Sequence, residues 1–195
     1  MSKEHSLIVV PGLGGENQML KMIVDSWSKH GINGYIHDAG WRGNEETFQT
    51  KLEKLINQVD KLSIKGKVSL LGTSAGGSAV INTFNERKNK IYKVVNVCGR
   101  LRTGFDVYPT LETASRSSIS FKQSVLLCEK VQRSFNEEDR KKVITIRPLF
   151  DKTVPISTMT IVGARNERII SVGHVFSIAL AMTLYSKKVI NFLNN

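Results

Sequence analysis

Short apolar runs, often β-branched, alternate along this chain with longer stretches whose apolar residues recur at helical spacing. The first run, Leu7 to Val10, is closed by Pro11 and glycines. Gln18 to His30 predicts a helix with Met19, Ile23, Val24 and Trp27 on one face. Gly34 to His37 is a second, weaker strand. Phe48, Leu52, Leu55, Ile56, Val59 and Leu62 then recur at helical spacing. Val68 to Gly72 predicts a third strand, and Ala75 to Asn85 a helix of small residues. Further strands are expected at Tyr92 to Val97, Val143 to Ile146 and Arg168 to Val172, and His174 to Leu193 closes the chain as one apolar helix.

Strands that alternate with helices imply βαβ units and a parallel sheet. Right-handed crossovers put helices on both of its faces. Ligands in such sheets bind beyond the carboxyl ends of the strands, so the residues that follow each strand carry the functional information. One stretch breaks the rhythm. Between the fourth and fifth strands lie Tyr108-Pro109 and a helix carrying Phe121, Val125, Cys128, Val131 and Phe135. Residues 100–140 are therefore either a long crossover or a small lid. No linker rich in Gly, Pro or Ser divides the chain, so one domain over residues 1–195 is expected.

The third strand runs into Gly72-Thr73-Ser74-Ala75-Gly76-Gly77, a G-x-S-x-G between strand and helix. A serine on so sharp a turn projects its hydroxyl, and small residues two before and two after it let strand and helix approach. The following helix points its N-terminal amides at developing negative charge. A phosphate loop is the competing reading, but the chain lacks the Gly-Lys-Ser/Thr ending and the full G-x-G-x-x-G pattern. Pro11-Gly12-Leu13-Gly14-Gly15 follows the first strand, where glycines let a backbone amide face an oxyanion. The expected donors are the amides of Leu13 and Ala75. Asp151 follows the fifth strand and His174 the sixth. An acid placed there can hold the imidazole in one tautomer and stabilise the imidazolium. Asp106, after the fourth strand, is the competing acid. Asp151 is preferred because it stands directly at a strand end and precedes Val154-Pro155.

The set PGLGG, GTSAGG, FDKTVP and GH resembles the α/β-hydrolase superfamily, especially its compact lipases and esterases, over nearly the whole chain. The resemblance implies an α/β fold with a six-stranded parallel sheet in the order 2-1-3-4-5-6 and helices on both faces. It implies Ser74 as nucleophile, His174 as base, Asp151 as acid, and Leu13 and Ala75 as oxyanion donors. The expected activity is cleavage of a carboxylic ester through an acyl-enzyme, with no metal and no cofactor. Thioesterase, peptidase and acyltransferase chemistry on the same triad remain open, as does a non-catalytic binding module. Gly12, Thr73, Arg100 and Arg102 are candidate substrate contacts. The two arginines follow the fourth strand closely, either as a solvated pair or as a pocket rim that attracts an anionic group.

Composition narrows the partners. The net charge of +11 favours anionic partners. The basic residues are spread along the chain, without interleaved aromatics or a helix-turn-helix or zinc-finger spacing, so nucleic-acid binding is not expected. Cys98 and Cys128 sit in apolar runs and read as buried free thiols. The opening apolar stretch lacks the features of a signal peptide, and Val175 to Tyr185 is too short to span a bilayer. A cytoplasmic location and a small-molecule ester or acyl substrate are expected. The sequence says nothing of oligomeric state.

Overall fold

The computed structural model describes residues 4–15, 18–42 and 46–195. Six parallel strands form one sheet: β1 (Glu4–Val10), β2 (Ile32–Ile36), β3 (Gly66–Thr73), β4 (Ile91–Val97), β5 (Val143–Arg147) and β6 (Arg165–Arg168). Their order is β2-β1-β3-β4-β5-β6, as the resemblance to the α/β-hydrolase superfamily implies. The helices are α1 (Gln18–Ser26), α2 (Phe48–Ser63), α3 (Gly76–Glu86), α4 (Leu111–Ala114), α5 (Ile119–Val131), α6 (Glu137–Lys141), α7 (His174–Met182) and α8 (Ser186–Asn194).

Side chains alternate across a strand, so a central strand covered on both faces must be apolar throughout. β1 meets this condition. Ile8 and Val10 enter a core with α2, α3 and α5, while Leu7 and Val9 enter a second core with α1, α7 and α8. Leu70 and Leu71 of β3 divide between the two cores in the same way. The sheet is thereby held rigidly between two helical layers, with the carboxyl ends of β1, β3 and β5 at one edge.

Three expectations are corrected. The sixth strand is Arg165–Arg168 and not Arg168 to Val172. It is an edge strand paired only with β5, so it needs no apolar face, and periodicity overlooks it. Beyond it the Ser171 amide turns back to the Ile169 carbonyl, and pairing resumes only as a single bridge between Phe150 and Val172. The closing helix is two helices. The amides of Thr183 and Tyr185 both turn to the Leu180 carbonyl and end α7, and α8 then aims Val189, Ile190 and Leu193 inward. An unbroken apolar run has no period that could mark such a break. Finally, Phe135 lies beyond α5, whose last turn passes into a 3₁₀ segment at Gln132–Ser134.

Residues 100–140 pack sideways. Phe121, Val125 and Cys128 of α5 are buried in the core shared with α2 and α3. Ser78 of α3 and Ser124 of α5 meet at 2.7 Å, and Asn82 donates to the Ser124 carbonyl. The apolar face of α5 is thus spent on the helical layer. No helix among the described residues is long and apolar enough to cross a membrane.

Candidate active site

Ser74 occupies the turn between β3 and α3 with φ of +52°, a left-handed conformation costly for a residue with a side chain. Local packing enforces the turn. A Cβ on Gly72 would stand 2.3 Å from the Gly76 carbonyl oxygen, and one on Gly76 would stand 1.9 Å from that of Val10. Only glycine at both positions lets β1, β3 and α3 come this close. The turn is closed by Ser74 N–H donating to Val97 O and Gly77 N–H donating to Ser74 O, both at 3.0 Å.

The loops after β5 and β6 bring the other two side chains to this serine. His174, first residue of α7, places Nε2 2.8 Å from Ser74 Oγ and Nδ1 2.7 Å from Asp151 Oδ2. The Asp151 side chain is fully buried. Its second oxygen accepts the amides of Thr153 at 2.7 Å and Val154 at 3.0 Å. Burial pushes the Asp151 carboxyl up, but the hydrogen bond and charge of His174 and these two amides outweigh it and hold the group below its ordinary value. An ionised Asp151 accepts only, so Nδ1 must carry the proton. Neutral imidazole then offers its Nε2 lone pair to Ser74. The competing acid, Asp106, is exposed and makes no hydrogen bond or ion pair among the described residues.

Ser74, His174, Gly12 and Thr73 line a cavity of about 320 Å³. One wall is Met19, Leu20 and Ile23 of α1, and the other is Val175, Ile178 and Met182 of α7. Leu13 also lines it. Among the described residues, the amides of Leu13 and Ala75 make no hydrogen bond. Trp41, buried, donates its indole N–H to the Pro11 carbonyl at 3.0 Å and braces the glycine loop.

The arginines do not behave as the sequence suggests. Arg100 is completely buried, with its guanidinium on the carbonyls of Arg102, Thr103 and Pro109. Arg102 binds the Thr160 carbonyl and hydroxyl. Neither lines the Ser74 cavity; both are turned to carbonyls of neighbouring loops, which position in the chain does not reveal. Arg42 lines it instead, exposed and without a hydrogen bond or ion pair among the described residues. Reading strand ends missed Arg42, Trp41 and both apolar walls. Met19 and Ile23 carried a usable signal as the start of an amphipathic stripe, but only Val24 and Trp27 at its far end are core. Among the described residues no cluster of His, Cys, Asp and Glu could hold a metal ion.

Neither a protein-family model nor a curated protein sequence matches the chain. Solved structures do. One, from work on LipS and LipT, two metagenome-derived lipolytic enzymes, aligns with a TM-score of 0.73 at 11% identity, covering 98% of this chain and 94% of that one. A monoacylglycerol lipase from Paleococcus ferrophilus gives 0.67 at 14% identity, with 96% and 93% covered. The thioesterase domain of the curacin biosynthetic pathway gives 0.63 at 15%, with 95% and 91% covered. The chain has the α/β-hydrolase fold. Within this fold Ser74, Asp151 and His174 follow β3, β5 and β6 in that chain order.

Proposed function

We propose that this α/β-hydrolase-fold protein is a serine hydrolase that cleaves a small carboxylic ester. The unbroken hydrogen-bonded path from Asp151 through His174 to Ser74, ending on a strained turn, carries this reading. His174 Nε2 takes the hydroxyl proton as Ser74 Oγ attacks the acyl carbon. Asp151, ionised and anchored by two amides, stabilises the imidazolium. The unengaged amides of Leu13 and Ala75 hold the oxyanion, and the α3 N-terminus adds to the positive potential there. His174 then gives its proton to the leaving alcohol oxygen as the C–O bond breaks. Water, deprotonated by the same imidazole, attacks the acyl-enzyme and releases the acid and free Ser74. No step requires a metal or an organic cofactor.

The cavity supports an acyl substrate. Its two walls, from α1 and α7, are apolar. Arg42 at the same cavity suits an anionic group elsewhere on the substrate. Labelling with a fluorophosphonate tests the nucleophile. The wild-type protein should be labelled and should hydrolyse p-nitrophenyl butyrate; folded Ser74→Ala should do neither. Equal labelling of the two proteins would overturn the assignment. Matched ester and thioester substrates then decide which leaving atom the site prefers.

A further inference from the structure

We propose that Arg102, Arg133 and Arg140 form a binding site for a phosphate-type dianion, separate from the Ser74 cleft. The three guanidiniums come from different segments: the loop after β4, the 3₁₀ segment after α5, and α6. They line one concave site of about 230 Å³ with Glu129, Gln132 and Val162, and it shares no lining residue with the Ser74 cavity.

Two of the arginines are fixed in place. Arg102 is held through Nη2 by the carbonyl and hydroxyl of Thr160, the hydroxyl at 2.9 Å. Arg140 donates Nε to the Phe135 carbonyl at 3.2 Å, Nη2 to that of Gln132 at 3.4 Å, and Nη1 to that of Val162. Arg140 packs closely over Gly163, where a Cβ would stand 2.9 Å from Arg140 Cδ. The anchors are backbone carbonyls and a hydroxyl, which position the cations without neutralising them. Arg133 is exposed at the site and makes no hydrogen bond or ion pair among the described residues. Arg102 Nη1 also has no partner among them.

Charge selects the ligand class. Glu129 is the one carboxylate lining the site; it makes no ion pair with the three guanidiniums, and burial raises its pKa while the Thr103 hydrogen bonds and the charges of Arg133 and Arg102 hold it below the ordinary value. Its Oε2 accepts the Thr103 amide at 2.9 Å. Three positive charges, two of them held in place, against one negative leave an excess of two. A phosphate or phosphomonoester carries about −1.5 to −2 near neutral pH and offers three or more acceptor oxygens. Guanidinium is the group best shaped to meet them, and preorganised side chains lose little entropy on binding. The site stands whatever reaction Ser74 performs.

Calorimetric titration with inorganic phosphate and with glycerol 3-phosphate, at constant ionic strength and pH 7.5, tests this. Saturable binding with Kd below about 10 mM is expected for at least one of them. Arg133→Gln should weaken it at least tenfold while the variant melts close to wild type, since the exposed Arg133 side chain makes no hydrogen bond or ion pair among the described residues. Arg102→Gln should weaken it as well. Tighter binding of glycerol 3-phosphate identifies a phosphorylated metabolite or headgroup as the ligand, and tighter binding of inorganic phosphate identifies the free ion. Absence of saturable binding by both probes, or wild-type affinity in folded Arg133→Gln, would overturn the proposal.

Discussion

Gly12 lies so close to Ser74 that a Cβ placed on it would stand 2.7 Å from the serine Cβ and 3.1 Å from its Oγ. The glycine loop after β1 is therefore a wall against which the serine side chain rests. Gly12→Ala should push the hydroxyl out of line with His174 Nε2 and lower kcat on p-nitrophenyl butyrate by about a hundredfold. Loop and turn are both short, so the melting temperature should change little. Unimpaired turnover by folded Gly12→Ala would show that the contact does not position the serine.

Asp151→Asn replaces an ionised acceptor with an amide that can donate to Nδ1 and favour the wrong tautomer. Turnover should fall by about 10²- to 10⁴-fold. Asp106→Asn should leave turnover unchanged, because Asp106 is exposed, and asparagine tolerates its φ of +48°. Steady-state kinetics on both variants decide between the two acids. An exchange of their effects would assign the role to Asp106.

The cavity between α1 and α7 should accept short and medium acyl groups. At about 320 Å³ it is at the small end of ligand sites, and α5 adds no roof to lengthen it. Across p-nitrophenyl esters from acetate to palmitate, kcat/KM should peak between butyrate and octanoate. Ile178→Trp, which fills the α7 wall, should move the peak to acetate. A peak at palmitate in wild type would place the acyl chain elsewhere.

Arg42 should discriminate by charge. Arg42→Gln is expected to raise KM by about tenfold for an ester bearing a distal carboxylate, such as p-nitrophenyl hemiglutarate, and to leave p-nitrophenyl butyrate unaffected. Equal effects on both esters would remove Arg42 from substrate recognition.

Stability should fall on mild acidification. Burial lowers the pKa of His5 and Lys67 adds to this, against a hydrogen bond that His5 donates to the Asn194 side chain. Burial likewise lowers that of His37, with Lys54 in support and Gln58 and Asp38 in opposition. Both imidazoles are thus more easily protonated in the unfolded chain. Stability is full above the ordinary histidine value of 6.5 and is lost as pH falls from there toward the lowered folded values. The urea midpoint should be lower at pH 5.5 than at pH 7.5. The difference should shrink in a His5→Gln, His37→Gln double variant, and an unchanged difference would assign the effect to other groups.

The sequence by itself determined the features that depend on local chemistry at strand ends. Doubly covered strands must be apolar on both faces, so β1, β3, β4 and β5 stood out, and with them the turns that carry Ser74 and Asp151. Gly72 and Gly76 marked the turn that carries Ser74, where a side chain would meet backbone atoms, and α7 could be expected to begin at His174. What only the tertiary structure decided depends on partners far away in the chain. β6 is polar because an edge strand faces solvent, and a pattern of apolar residues cannot reveal it. The break at Thr183 lies inside an apolar run that has no period to interrupt. Arg100 and Arg102 stand two positions apart, yet one is wholly buried on carbonyls and the other turns to Thr160. The Ser74 cavity takes its walls from α1 and α7, whose first residues are more than 150 positions apart, as the sheet order brings them together on one face. Periodicity reports which side of an element is buried. It cannot report which buried or half-buried side faces a cavity, because that depends on the packing of elements distant in sequence.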